Sequence, residues 1–443
     1  MDDYEVPELI LLSDLHLGAE RGRGLFRADS ELAAFLHWIT EETGPARVVI
    51  AGDFLDFLVP REGEETVPAF DPLGAAARAM AVVEHHPEVF DALARLAHSP
   101  RHELWILNGN HDPELLLPDV REVLDRRLGV ASPPASSLRW RTEGEAVDFQ
   151  VGSARVLVAH GDCFDGWNRI EYGRLRTAAN RLSYGFSRPD EHEYEPPLGT
   201  RLVVEHVLRL RSPYPWVDAL KPEREAVFPI LSQFLSFTEK RAFLGAIKRA
   251  LLSLPESFWG RLARKSSPAR LVRGSEEDSP KARLQFWLQE EEKLVRSSEE
   301  LGKDLIPRLR RASAEDGCFD LSAPDVCARW VPLLLERGAD LVVLGHTHSA
   351  KALTLEKGLY LNSGTWGRLL SLPGSATPDE EWQGFLADLR AGCDLGEARP
   401  TWVRVEQETR GTWASLMGWE GGAAMARASF RFEAESRHWQ REG

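Results

Sequence analysis

The sequence predicts an α/β fold with a layered sheet, interrupted by a large helical insertion. Two observations carry this. Short apolar runs that stop abruptly at Gly, Asp or Asn recur near both ends of the chain, and helical periodicity lies between the first of them. From about Trp167 to Phe319 such runs nearly vanish, while Arg, Glu and Leu rise.

Taken in order, Leu9 to Leu12 stops at Ser13-Asp14, Val48 to Ala51 at Gly52-Asp53, and Leu104 to Leu107 at Asn108-Gly109-Asn110. Val156 to Ala159 stops at His160-Gly161-Asp162, and Leu341 to Leu344 at Gly345-His346. Runs of this length, bounded by turn formers, read as buried strands. Ser30–Glu42 and Ala75–Ala97 read as helices between the first three strands. Toward the end, Leu359–Leu361, Thr401–Val405 and Ala428–Phe432 read as further strands, and the Gly- and Trp-rich stretch between the last two is given no element.

Within the middle segment, Phe243, Leu244, Ile247, Ala250, Leu251 and Leu254 share one side of a helix, opposite Arg241, Lys248 and Arg249. Ser275 to Pro280 reads as a solvated loop before a second helix, Ala282–Leu301. The expected division is therefore a core in two parts, 1–166 and 321–443, around a helical insertion over 167–320. At about 150 residues per domain, 443 residues accommodate this.

Composition narrows the partners. With 69 acidic against 54 basic residues the chain carries a net charge of −15, which repels a polyanion and disfavours nucleic acid. Four scattered cysteines include no C-x-x-C pair, and the acidic start Met-Asp-Asp-Tyr-Glu lacks the charge of a signal peptide. No run of about 18 apolar residues occurs. These features lead to an expectation of a cytoplasmic location.

Each strand end carries a metal-type ligand. In order they read Asp14-Leu15-His16, Gly52-Asp53-Phe54-Leu55-Asp56, Gly109-Asn110-His111-Asp112, His160-Gly161-Asp162 and Gly345-His346-Thr347-His348. Loops beyond the carboxyl ends of the strands form the ligand crevice of an open α/β sheet, so residues far apart in sequence can meet there. Carboxylate, imidazole and amide oxygen without thiolate suit Mn²⁺, Fe²⁺ or Zn²⁺ rather than a structural zinc site. Asp14, His16, Asp53, Asn110, His160, His346 and His348 are too many for one ion. They suit two ions sharing one carboxylate, about 3.5–4 Å apart, a pair that binds a phosphoryl oxygen and brings the pKa of water from about 15.7 to about 7. A lone histidine base contributes about 10²–10⁴-fold, far less than that.

These five motifs, in this order, resemble the calcineurin-like metallophosphoesterase superfamily over about residues 9–165 and 325–367. The resemblance implies a four-layer α/β/β/α sandwich and a metal-dependent phosphohydrolase. It also implies that Asp14, His16, Asp53 and His348 hold one ion, and that Asp53 bridges to a second held by Asn110, His160 and His346. His111 is then the histidine that contacts the phosphate and helps the leaving oxygen depart, with Asp112 orienting it. Asp56 supports the loop that carries Asp53. Ser13-Asp14-Leu15-His16-Leu17-Gly18, His160-Gly161-Asp162 and Asn362-Ser363-Gly364-Thr365-Trp366 are similar to the branch containing UDP-2,3-diacylglucosamine pyrophosphatase. That branch has a helical cap in the same place, but a much shorter one. The implied substrate is a phosphodiester or pyrophosphate of a small or lipid-linked molecule. The alternatives are a nuclease or cyclic-nucleotide phosphodiesterase, or a non-catalytic metal-binding scaffold.

Other residues carry weaker signals. Arg21 and Arg23, shortly after His16, could present guanidinium groups to a phosphate, against the plain reading of a solvated turn. Asn168 and Arg169 open the insertion and are candidate substrate contacts. Cys163, next to the His160 motif, reads as a small buried residue rather than a ligand. His85, His86, His98, His102, His192 and His206 read as ordinary residues. Lys240–Arg273 carries nine basic residues and one acid, Glu256, with Phe258-Trp259 between them. It could rest on the anionic inner face of a membrane or receive a lipid-bearing substrate; the plain alternative is a helix with a charged outer face.

Overall fold

The computed structural model describes residues 4–19, 24–61, 70–130, 137–186, 196–236, 238–241, 245 and 298–442. It divides into two compact units. The first comprises Met1–Thr200, Gly317–Leu369 and Gly396–Gly443, and the second Arg201–Asp316 and Leu370–Leu395. The sequence expectation drew the boundaries at 166/167 and 320/321. Residues 167–200 group with the core because the helix Tyr172–Ser183 buries Leu175, Ala178 and Ala179 in it.

Two sheets build the first unit. In the larger, Glu8–Leu12, Ala46–Ala51, His102–Leu107 and Leu138–Arg141 run parallel. Thr401–Glu408, Gly411–Glu420, Ala423–Glu433 and His438–Glu442 extend it antiparallel from the Glu8–Leu12 edge. The smaller sheet orders Tyr4–Val6, Val147–Val151, Ala154–Val158, Leu341–Leu344, Gly358–Asn362 and Lys351–Leu355.

The runs of Val, Ile and Leu are strands buried on both faces, which is why they read as continuous rather than alternating. Successive side chains then feed different cores. Ile10, Leu12, Val48, Ile50, Leu104 and Ile106 join the helices Asp29–Glu42, Pro87–Ala97 and Pro118–Leu128. Leu9, Leu11, Val49, Trp105 and Leu107 meet Val156, Val158, Val343 and Leu361 between the two sheets. Val342, Leu344 and Tyr360, on the far face of the smaller sheet, pack with Val331 and Leu335.

Two expectations change. Ala75–Ala97 is two helices, Pro72–His85 and Pro87–Ala97. Pro87 has no N–H to continue the first and is well placed to start the second, and His86 leaves the helical region between them. The unassigned Gly- and Trp-rich stretch contains most of two long antiparallel strands, Gly411–Glu420 and Ala423–Glu433.

In the second unit, Leu305, Leu309 and Ala312 form the buried stripe of the helix Ser298–Glu315. Trp216 is enclosed and its Nε1 donates to Leu389 O at 2.8 Å. Residues 242–297, apart from Gly245, lie outside the described residues, and with them most of the basic stretch Lys240–Arg273 and of the expected helix Ala282–Leu301. Among the described residues, no helix is long and apolar enough to cross a membrane.

Candidate metal centre

The seven expected ligands converge at the carboxyl ends of strands from both sheets. A chain of short separations joins them. Asp14 Oδ1 lies 3.4 Å from His348 Nε2, which lies 2.8 Å from His16 Nε2. His16 Nε2 lies 3.7 Å from Asp53 Oδ2, and the same oxygen lies 3.4 Å from His160 Nε2. His160 Nε2 and His346 Nδ1 reach Asn110 Oδ1 at 3.1 and 2.8 Å. Asp53 Oδ2 thus faces both groups of ligands.

The backbone is bent to achieve this. Among the described residues, seven that are not glycine have positive φ, and five of them are Asp14, His16, Asp53, His346 and His348. Side chains disfavour that region, and such strain concentrates at functional sites. Glycines give the ligands room. A Cβ on Gly109 would overlap Asp53 Oδ1 and lie 2.6 Å from His160 Nε2, and one on Gly345 would lie 2.5 Å from Asp14 Oδ2.

Surrounding groups fix His160, His346 and Asp14. His160 Nδ1 donates to Ala51 O at 3.1 Å, which leaves Nε2 to ligate. His346 Nε2 donates to Asp165 Oδ2 at 3.1 Å, which leaves Nδ1. Asn168 Nδ2 donates to the same Asp165 oxygen at 2.8 Å, so Asn168 braces the ligand shell. Asp14 is clamped by the Asn362–Trp366 motif. Thr365 Oγ1 donates to Asp14 O at 2.7 Å, and Ser363 Oγ sits 2.7 Å from Ser13 Oγ, whose hydroxyl donates to Asp14 Oδ2. Trp366 anchors that clamp in an aromatic cluster, its ring 5.0 Å from that of Phe35.

The role of Asp112 differs from the expectation, and Asp56, which accepts Leu58 N–H at 3.0 Å in the loop that carries Asp53, also takes a second role. His111 Nδ1 pairs with Asp56 Oδ1 at 3.1 Å. Asp112 instead accepts the backbone N–H groups of Phe54, Leu55 and Gly109 at 2.7, 3.2 and 2.6 Å. Buried at the start of the turn Pro113–Leu116, it ties two ligand loops together rather than orienting His111. Cys163 is exposed, not buried, because it sits mid-turn in Asp162–Phe164. Arg169 is exposed and pairs with Glu171 at 3.4 Å. Arg21 and Arg23 lie outside the described residues. His86 and His102 are structural: His86 bonds Asp29 and Gly18, and His102 bonds Thr43 and Ser99. Asp165 was not singled out from sequence, although it follows His160-Gly161-Asp162 by only three positions.

Electrostatics fit a cation. Burial pushes Asp14 up to about 6 and Asp112 to about 7, and holds His16 down to about 4, hence neutral at pH 7. Burial also opposes charge on Asp53 and His160, but their attraction dominates. Asp53 falls well below the carboxylate range, and His160 rises to about 10. With Nε2 of His346 committed as a donor, its Nδ1 lone pair faces Asn110 Oδ1 at 2.8 Å, and a cation there relieves the repulsion. Asp14, His16, Asp53 and His348 offer ligand atoms all within 4.8 Å of one another, as do His16, Asp56 and His111. The donor set fits divalent ions.

Residues 8–217 match the model of the calcineurin-like phosphoesterase family. No curated protein matches the chain. A single mutant of Vps29 from Entamoeba histolytica aligns at 8% identity over 96% of this chain and 99% of its own, with a TM-score of 0.29. A conserved uncharacterized protein of Streptococcus pneumoniae TIGR4, described as a predicted phosphoesterase, aligns at 10% identity over 95% and 98%, with a TM-score of 0.23. The family match lies over the segment that supplies five of the seven expected ligands and His111, and this segment's similarity to the calcineurin-like phosphoesterase family supports a metal-dependent phosphohydrolase.

Proposed function

We propose that the protein hydrolyses a phosphodiester or pyrophosphate bond of a small or lipid-linked molecule, using two divalent ions. Asp14, His16, Asp53 and His348 would hold one ion and Asp53, Asn110, His160 and His346 the other. Mn²⁺ is the favoured metal, and Fe²⁺ or Zn²⁺ also suit these donors. One observation carries the reading: Asp53 Oδ2 stands 3.7 Å from His16 Nε2 and 3.4 Å from His160 Nε2, where a carboxylate shared by two ions belongs. Bound there, the ions supply an activated water and offset the charge that develops on the phosphoryl group.

The chain's own residues do the rest. His16, kept neutral by burial, retains its lone pair for ligation. Ala51 O and Asp165 fix which ring nitrogens of His160 and His346 face inward. His111 is partly accessible, its side chain 19% exposed, and Asp56 holds Nδ1. Nε2 is then the nitrogen that gives a proton to the departing oxygen, and Asp56 stabilises the ring while it is charged.

The negative charge of the chain favours small or lipid-linked substrates over nucleic acid. Incubation with nucleotide, sugar-nucleotide and phospholipid pools in the presence of Mn²⁺ tests the reading. It predicts phosphate-ester cleavage in one of the last two. Intact pools, together with an uncleaved generic phosphodiester, would overturn it.

A further inference from the structure

Thr347 stands between two of the expected metal ligands, and its side chain is held by a residue far away in sequence. His346 and His348, on either side of it, both have positive φ, 72° and 58°. Residues other than glycine keep that conformation only where their surroundings over-determine it. One hold comes from Asp14, whose carboxylate oxygens accept the backbone N–H of His346 at 3.1 and 2.9 Å. A second hold acts on Thr347 itself.

Asp325 supplies it. Its Oδ2 accepts the hydroxyl of Thr347 at 3.0 Å, that of Tyr360 at 2.8 Å and Nδ2 of Asn362 at 3.2 Å. Its Oδ1 accepts the backbone N–H groups of Cys327 and Ala328 at 3.0 and 2.9 Å. These donors fill the roughly four lone-pair positions of a carboxylate. Asn362 closes the knot, because its Nδ2 also lies 2.8 Å from Gly345 O and 3.0 Å from Thr347 Oγ1. Tyr360 and Asn362 are fully buried on Gly358–Asn362, the strand paired with Leu341–Leu344, which leads into the loop. Cys327 and Ala328 are buried with Val331 and Leu335 against the same sheet. Asp325 is thus a charged acceptor anchored on packed elements, and it reaches the loop through Thr347.

We propose that Asp325 is a positioning residue of the metal centre: through Thr347 it holds the loop 345–348 in the strained shape that offers His346 to one ion and His348 to the other. The proposal rests on the two-ion reading and deepens it, because a carboxylate that ligates neither ion then sets the affinity for both. Asp165, by contrast, fixes the ring of His346. Loss of Asp325 therefore differs from loss of Asp165 in acting on two ions rather than one.

The test titrates metal-free wild type, Asp325→Ala, Asp325→Asn, Thr347→Val and Thr347→Ser with Mn²⁺, read by calorimetry. Asp325→Ala and Thr347→Val weaken both ions by about tenfold or more, the size typical of groups behind metal ligands. Asp325→Asn keeps an oxygen for Cys327 and Ala328 but turns an amide toward Asn362 Nδ2, so it weakens both ions by less. Thr347→Ser keeps the hydroxyl and binds as wild type does, as does Val326→Ala, a change at an exposed neighbour. Without metal, hydrogen exchange at the amides of residues 345–348 is severalfold faster in Asp325→Ala and Thr347→Val, while that of Leu341–Leu344 is unchanged. Wild-type affinity for both ions in these two variants would overturn the proposal, as would weakening of a single ion or equal loss in Thr347→Val and Thr347→Ser. Faster exchange in Leu341–Leu344 together with the loop would also overturn it, marking a purely structural carboxylate. If Asp325→Ala does not fold, Asp325→Asn and Thr347→Val decide by the same criteria. Failure of wild type to bind two ions would instead remove the two-ion reading, and the exchange arm would still decide on Asp325.

Discussion

Asp165 Oδ2 accepts a hydrogen bond from His346 Nε2 at 3.1 Å, and so turns Nδ1 of that ring toward Asn110. Carboxylates behind metal-ligating histidines set both ring orientation and basicity, and their loss costs about 10–100-fold in metal affinity. Asp165→Ala should therefore weaken binding of one ion by about that factor. Titration of metal-free protein with Mn²⁺, read by calorimetry, checks it, and Arg169→Ala, which alters an exposed ion pair, should bind as wild type does.

The His111–Asp56 pair makes a different prediction. His111→Ala should lower kcat by about 10²–10⁴-fold and keep its metal, because the seven ligands remain. Asp56→Asn should fall in the same direction by a smaller factor. Asp112→Asn should act mainly on stability, since that side chain accepts three backbone N–H groups and is fully buried. Its Tm should drop, and the pH profile of whatever activity survives should match that of wild type.

Close approach at Gly109 is a third test. With no space for a Cβ between Asp53 and His160, Gly109→Ala should displace one of the two ligands and lose metal. Gly44 faces open space, so Gly44→Ala serves as the control that keeps full metal content.

Without metal, stability should fall as pH rises from about 5 to 8. Asp14, Asp112 and Glu114 have folded values of about 6, 7 and 7, above their unfolded values, so each prefers its proton in the folded state. Below the unfolded values nothing is lost; as pH rises through the folded ones, buried negative charge accumulates and stability drops. His160, raised to about 10, acts in the same direction, contributing fully below about 6.5 and losing that contribution at higher pH. Thermal melts of metal-free protein from pH 5 to 8 should show a falling Tm. Saturating Mn²⁺ should flatten the slope, since the ions offset the carboxylates around them.

Much of this site was legible because strand ends announce themselves. An apolar run that stops at Gly-Asp or Gly-Asn-His marks both the strand and a candidate ligand, and the seven residues read in this way are brought together by the fold. Asp112 and Asp56 were harder. Both lie two or three positions from a ligand, and only the three-dimensional path of the loop decides which one reaches His111. Asp165 falls after a short turn with no strand to mark it, so nothing in the pattern distinguished it from a loop acid. Pro87 could have divided the helical stretch, but a continuous apolar periodicity across His86 concealed the break. The strand Gly411–Glu420 and the first half of Ala423–Glu433, of which only Ala428–Phe432 was read, escaped because glycine and tryptophan blur the alternation that marks a sheet.

Asp53 carries the central claim, that one carboxylate serves two ions in a hydrolytic site. Metal content and hydrolysis of bis-(p-nitrophenyl) phosphate should be measured together for wild type, Asp53→Ala and His111→Ala, each loaded with Mn²⁺. The account predicts two ions and turnover in wild type, loss of metal and turnover in Asp53→Ala, and retained metal with little turnover in His111→Ala. Equal rates in all three, or full metal content in Asp53→Ala, would contradict it.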